Sequence, residues 1–155
     1  MRALSRITNP SVRAGPDGKI PCVAGKSKEF RHAVDLRDGG SLRTEDGTAL
    51  EVEPAWSPEH LLLAALIRCS LKSLAFHARH RSIVVEHAHG SARSLVAKRE
   101  SDDRYAVIEV DIDLDVRLSP EPGENELAEL IEKAERDCFI GASLTVKPAY
   151  RWTTH

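Results

Sequence analysis

Three cysteines, a carboxylate at a helix start and several arginines are the residues of this 155-residue chain whose types and spacing could do chemistry. Cys22, Cys69 and Cys138 stand far apart and form no C-x-x-C pair of the zinc or thioredoxin type. In a reducing compartment each is therefore either inert packing or a reactive thiol. Cys69 lies in "SPEHLLLAALIRCSLKSLAF", residues 57–76, a stretch that is apolar nearly all the way round. Free cysteine behaves as a small hydrophobe and is often buried, and Leu62, Ala65, Leu66 and Phe76 suit such packing. The other reading is a nucleophilic thiolate. Apolar surroundings raise a thiol's pKa, and the helix dipole fades within the first turn, so a reactive Cys69 needs an imported cation. Lys72, three residues on, is a flexible and strongly hydrated ammonium. An arginine fits better, because its planar fork can grip a carboxylate bidentately and still direct an N–H at sulfur. Glu59 could be that carboxylate, or merely a first-turn acid facing the dipole.

A second constellation is the run of His77, His80, His87 and His89. His87 and His89 share one strand face, an acceptable metal-ligand spacing. Against a metal, His77 and His80 fall near a helix C-terminus, where a cation is favoured anyway, and no carboxylate or cysteine completes an obvious set.

The elements that must position these groups can be read from periodicity and turn chemistry. Residues 1–28 are rich in Gly, Pro, Lys and Arg without a period and read as an extended arm, with a possible short strand in "KIPCVAGK". Residues 29–155 read as one domain. "EFRHAVDLRDGGSLRTEDGTALEVEP" alternates apolar and polar residues around Asp38-Gly39-Gly40 and Asp46-Gly47, as in a small antiparallel meander. Ser57 as N-cap, Pro58 at the first helical position and Glu59 in the first turn specify a helix start. The helix should run to about His80, central and mostly enclosed, with Arg68, Lys72 and Arg79 on one side. Residues 83–98 and 105–118 read as long strands joined by "ESDDR", with Val110, Ile112, Leu114 and Val116 on one face. "ENELAELIEKAERD" is an amphipathic helix that delivers Cys138 at its C-terminal end, and "SLTVKPAYRW" reads as a last strand whose Pro148 favours an edge or a strand start. The order gives an α+β protein with antiparallel pairing.

The balance of 22 Lys+Arg against 24 Asp+Glu gives a net charge of -2, so no global field recommends nucleic acid or an anionic membrane. No apolar run of eighteen residues and no signal-peptide core stand out, and a cytoplasmic location is expected.

The stretch "SPEHLLLAALIRC" resembles the signature of the OsmC/Ohr family of thiol peroxidases, in which an Asn/Ser-Pro-Glu helix start precedes the reactive cysteine by the same interval. "LIEKAERDCFIGASLTVKPAYRW" is similar to that family's helix, resolving cysteine and last strand, and the Arg-Asp-Gly of the first meander also fits. The resemblance covers residues 29–153. It implies an OsmC-like α+β fold, with antiparallel sheets around a long central helix in an intertwined homodimer. It further implies that Cys69 is the peroxidatic cysteine, Cys138 the resolving cysteine and Glu59 the holder of an activating arginine. Arg37 of "LRDGG" best matches the family's Gly-rich turn, with Arg31 and Arg43 as competitors. Two positions depart from the family pattern: Phe139, Ile140 and Gly141 stand where Pro and then Ser are common, and Arg68 precedes Cys69 where a small residue is usual.

By the same resemblance the substrate would be an organic hydroperoxide and the reductant an external dithiol, such as dihydrolipoamide on a lipoylated protein, with no metal or bound cofactor. Cys69 thiolate would attack the peroxide, and Cys138 would capture the sulfenic acid as a disulfide. The apolar stretch, with Phe76 and Phe139, would favour alkyl or lipid hydroperoxides. Helix geometry adds one step. Ten residues on a straight helix separate Glu59 from Cys69 by roughly 15 Å, too far to share one guanidinium, whereas two copies packed antiparallel near Ala64 would bring Glu59 of one level with Cys69 of the other. The remaining alternative is a module on the same fold that senses oxidation, or binds a small ligand or metal, without turnover.

Overall fold

The computed structural model describes residues 28–155. Cys22, the strand expected in KIPCVAGK and all of the expected arm but Lys28 lie outside the described residues. The described chain divides between Leu50 and Glu51 into two compact units, a division that falls inside the domain expected over residues 29–155.

The first unit is the expected meander: β1 (Val34–Leu36), β2 (Leu42–Thr44) and β3 (Ala49–Leu50), all antiparallel. Leu36 pairs with Leu42 across a turn in which Gly39 and Gly40 both hold φ +88°, a conformation that side chains resist. At the second turn the Asp46 carboxylate accepts from the Thr44 hydroxyl and from the Thr48 N–H, which holds its pKa down to about 2.

The second unit is built on α1 (Pro58–Arg79) and a sheet of order β4-β5-β6. Helix α1 begins where its capping residues place it: the Ser57 hydroxyl accepts the His60 N–H at 3.4 Å. His60 supplies the other half of the capping box, its Nδ1 accepting the Ser57 N–H at 3.0 Å where a Glu or Gln usually serves.

Strands β4 (Val84–Lys98) and β5 (Tyr105–Ser119) pair antiparallel along their length, joined by the turn expected from "ESDDR". The period of two in β5 puts Val110, Ile112, Leu114 and Val116, with Leu118, on the buried face. Opposite them β4 carries small residues: Ser94 pairs with Val110, Ala92 with Ile112, Gly90 with Leu114 and Ala88 with Val116. A Cβ on Gly90 would stand 2.8 Å from Ile67 of α1 and 2.8 Å from Leu114, so β4 reaches the helix because residue 90 has no side chain.

Helix α1 was expected to be mostly enclosed. In the protomer only Leu66, Ser70, Leu74 and Ala78 are buried, a stripe at a spacing of four, because the sheet and the helix after it cover one face only. Phe76 is 51% exposed, and Arg68, Lys72 and Arg79 face outward as expected. By length and composition α1 is apolar enough to cross a membrane, yet Leu66 packs in a core with Val110, Ile112 and Leu114 of the sheet.

After β5 the chain forms α2 (Glu124–Arg136) and a five-residue helix, α3 (Phe139–Ser143), before β6 (Ala149–Thr154). The last strand thus begins after Pro148 and lies at the sheet edge, later than expected: Ser143 ends α3, and residues 144–148 form a connection where the strand was expected to start. Strand β6 runs parallel to β5, Ile112 pairing with Tyr150 and Leu114 with Trp152. This corrects the expectation of antiparallel pairing throughout. The α2–α3 connection is long enough to carry the chain back to the end at which β5 began, and a return of that length permits a parallel neighbour. Leu130 and Ala134 of α2 complete a second core with Leu74, Ala78, Ile83, Val116 and Leu118.

Candidate functional site

Cys69 and Cys138 are free thiols that reach the same place from different elements. Cys138 is completely buried with Leu66, Val110, Ile112 and Leu114, and the half-buried Cys69 packs against that cluster with the Ile140 backbone beside it. Cys138 ends the α2 segment, as expected from its amphipathic period, and caps α3. Burial pushes the Cys69 thiol up; the Ile140 N–H draws it down, and the Cys138 thiol pushes it up again, leaving a net rise. These surroundings favour the thiol over the thiolate, which is the circumstance in which a cation is needed for reactivity.

Around Cys138 lies a hydrogen-bond network. The Gly141 N–H donates to Cys138 Sγ at 3.3 Å. Ser70, next to Cys69 and buried, places its Oγ 3.4 Å from Cys138 Sγ, 3.3 Å from the Tyr150 hydroxyl and 2.9 Å from the Leu66 carbonyl oxygen, to which it donates. Burial, the largest influence, raises the Tyr150 hydroxyl pKa to about 12. A Cβ on Gly141 would stand 2.9 Å from the Tyr150 hydroxyl and 3.4 Å from Cys138 Sγ, so only glycine leaves this room. A cleft of about 400 Å³, lined by Glu135, Arg136 and Lys147 among others, shares Gly141 and Tyr150 with the network.

Ser70, Tyr150 and Gly141 were not among the site residues expected from the sequence. A polar residue at a buried position of an apolar helix was the signal available for Ser70. For Gly141 it was the departure from the family pattern after Cys138. Tyr150 carried none, since its contact with Ser70 spans eighty residues.

The structure does not bring Glu59 and Cys69 of one chain together. Glu59 lies exposed at the start of α1, its carboxyl held low first by the Ser57 hydroxyl. Helix α1 runs on unbroken past Cys69, so ten residues keep them roughly 15 Å apart along the axis. Arg37, Arg31 and Arg43 belong to the other compact unit. Arg37 lies 3.4 Å from Asp35, Arg31 donates to Glu29 at 3.1 Å, and Arg43 donates to the Gly47 carbonyl at 3.2 Å.

The four histidines are used separately. His77 Nε2 lies 2.9 Å from Asp137 Oδ2, which sets the end of α1 beside the residue before Cys138, though the angle does not make a hydrogen bond. His80 Nδ1 sits 2.8 Å from the Phe76 carbonyl oxygen, and His87 and His89 pair with Arg117 and Asp115 across β4 and β5. Among the described residues no three His, Cys, Asp or Glu side chains are gathered as a metal ion would require.

Residues 48–153 match the family described as OsmC-like protein. No curated protein matches the sequence. Among solved structures, an OsmC-like protein of unknown function from Vibrio cholerae is similar with a TM-score of 0.67 at 17% identity, covering 80% of this chain and 99% of that one. An organic hydroperoxide resistance protein from Elizabethkingia anophelis is similar with a TM-score of 0.61 at 17% identity, covering 83% of this chain and 99% of its own. The organic hydroperoxide resistance protein OhrB of Bacillus subtilis gives 0.52 at 19% identity, over 81% of this chain and 98% of its own. At these identities the likeness is one of fold.

Proposed function

The chain belongs to the OsmC-like protein family, and from that premise we propose that it is a cysteine-based peroxidase that reduces organic hydroperoxides to alcohols. The observation that carries the reading is the meeting of Cys69 and Cys138, free and in one apolar cluster, although one comes from α1 and the other from the junction of α2 and α3. Cys69 thiolate attacks the terminal peroxide oxygen, the O–O bond breaks, and the alkoxide leaves and takes up a proton as the alcohol. Cys138 then displaces hydroxide from the Cys69 sulfenic acid, and the disulfide is reopened by an external dithiol, dihydrolipoamide on a lipoylated protein being the candidate. The apolar cluster against which Cys69 packs, with Leu66, Val110 and Ile112 in it, supports an alkyl or lipid hydroperoxide over hydrogen peroxide as the substrate. A reducing compartment such as the cytoplasm suits the cycle.

The activating cation is assigned to Arg37, oriented by Glu59 of a second copy in a homodimer. The span from Glu59 to Cys69 on unbroken α1 supports two chains per site, and so does exposed Phe76 on the same helix. Activity in a sedimentation-proven monomer would exclude it.

The deciding experiment treats reduced full-length protein with cumene hydroperoxide and follows free thiols and intact mass. Wild type should lose two of its three thiols, become two hydrogens lighter and release cumyl alcohol, while Cys69→Ser should do none of these. Consumption no faster than by free cysteine would overturn the reading, and oxidation without turnover in the presence of dihydrolipoamide would favour a sensor.

A further inference from the structure

The peroxidase cycle uses Cys138 but leaves three groups around it without a role: the Ser70 hydroxyl, the Tyr150 hydroxyl and the Gly141 N–H. Their hydrogen inventory is constrained. A serine hydroxyl has one proton to give and two lone pairs. Ser70 gives its proton to the Leu66 carbonyl at 2.9 Å, the shortest of its contacts. Its lone pairs therefore face Tyr150 Oη at 3.3 Å and Cys138 Sγ at 3.4 Å, and both the phenol and the thiol donate to it.

Resolution changes that inventory. To attack Cys69, Cys138 must part with its proton in a site where its sulfur has no access to water, since the residue is fully buried. The thiolate then needs donors. The Gly141 N–H already points at it. Ser70 supplies a second by turning its O–H from Leu66 to sulfur, and Leu66 is not orphaned because its carbonyl still accepts the Ser70 backbone N–H within the helix. Tyr150 goes on donating to Ser70 Oγ and so holds the oxygen in place as its proton swings. Its burial keeps the phenol protonated and therefore a donor.

We propose that Ser70 is a catalytic residue of the resolving step, the donor that receives Cys138 as a thiolate, and that Tyr150 is a positioning residue that fixes the Ser70 hydroxyl for it. In the step, the Cys138 electron pair forms the S–S bond at Cys69, the S–O bond of the sulfenic acid breaks, and hydroxide leaves and takes the Cys138 proton to become water. The Cys69 sulfur is reduced as the Cys138 sulfur is oxidised. The proposal rests on the peroxidase reading for the identity of the oxidant and on the geometry for everything else.

The test separates the two. Full-length Cys22→Ser protein is mixed with 4,4′-dithiodipyridine, which is attacked first by the more accessible Cys69 with release of one thiopyridone. Cys138 then displaces the second as it forms the intrachain disulfide, and Cys138→Ser should stop after the first. In Ser70→Ala the second release should slow relative to the first by about tenfold or more, the size expected for a lost hydrogen bond to a charged group. Tyr150→Phe should slow it about threefold, and Ser70→Thr should restore it to near the wild-type ratio. The same ranking should appear in disulfide formation after cumene hydroperoxide. An unchanged ratio in Ser70→Ala, or a Ser70→Thr as slow as Ser70→Ala, overturns the proposal. Should Ser70→Ala fail to fold by circular dichroism, the wild-type ratio in Tyr150→Phe overturns it instead. If wild type ignores hydroperoxide but obeys the dithiodipyridine ranking, the peroxidase reading falls and Ser70 keeps its role.

Discussion

Gly90 of β4 and Ile67 of α1 meet so closely that a single methyl group on the glycine would stand 2.8 Å from Ile67 Cγ2 and equally near Leu114. Neither neighbour is the free end of a long flexible side chain. Gly90→Ala should therefore push the sheet from the helix and cost about 1–3 kcal/mol in urea unfolding, in the range of overpacked cores. An unchanged midpoint would mean that β4 and α1 do not pack as described.

The activating arginine can be found by difference. Burial holds the Cys69 thiol up, so removal of the cation that offsets this should slow attack on cumene hydroperoxide about tenfold or more and move the rate–pH profile to higher pH. Arg37→Ala should do so with stability within about 0.5 kcal/mol of wild type, because its ion pair with Asp35 is exposed and long. If Arg31→Ala or Arg43→Ala has the effect instead, the assignment moves to that residue.

Tyr150 makes an alkaline forecast. Its folded pKa of about 12 lies above the value of 10.0 for a free phenol. In that window the unfolded chain has released a proton that the folded chain keeps, so unfolding becomes easier as pH rises from about 10 toward 12, and below it Tyr150 adds no pH dependence. The slope cannot exceed about 1.4 kcal/mol per pH unit and should be well under that, because the ring is only half-buried. Tyr150→Phe should remove this part of the alkaline loss, as read from urea midpoints at pH 9, 10 and 11; identical slopes would place the hydroxyl in solvent.

Asp137 makes the acid counterpart. Its carboxyl is held low first by Arg136 and then by His77. A depressed carboxylate contributes stability above its ordinary pKa and loses it as pH falls through the lowered one. Asp137→Asn should flatten the loss of stability below pH 4 and free the end of α1 from the junction before Cys138, seen as faster exchange of amides in residues 76–80.

What could be read from the sequence was whatever depends on neighbours. The start of α1 was legible because Ser57, Pro58 and Glu59 act within one turn, and β5 because alternation is a property of consecutive residues. The two cysteines were legible as a pair through the resemblance, and the structure then put them in one cluster. The direction of β6 was not legible, since parallel or antiparallel return depends on where a long connection lands. Nor was the exposure of α1, because composition says that a surface is apolar and not what covers it. The Ser70–Tyr150 contact was the least legible of all, as α1 carries both Ser70 and Ser73 and nothing local says which of them a residue eighty positions on will meet.

About seventy residues, including both long strands and all of α2, lie between Cys69 and Cys138. A bond between those sulfurs would turn that segment into a closed ring in the unfolded chain as well as the folded one, removing about 4 kcal/mol of unfolded-state entropy by the chain model. The oxidised form should then melt well above the reduced form. Any reductant that opens the ring returns the protein to its less heat-resistant form, so the melting temperature would report which half of the cycle a sample occupies.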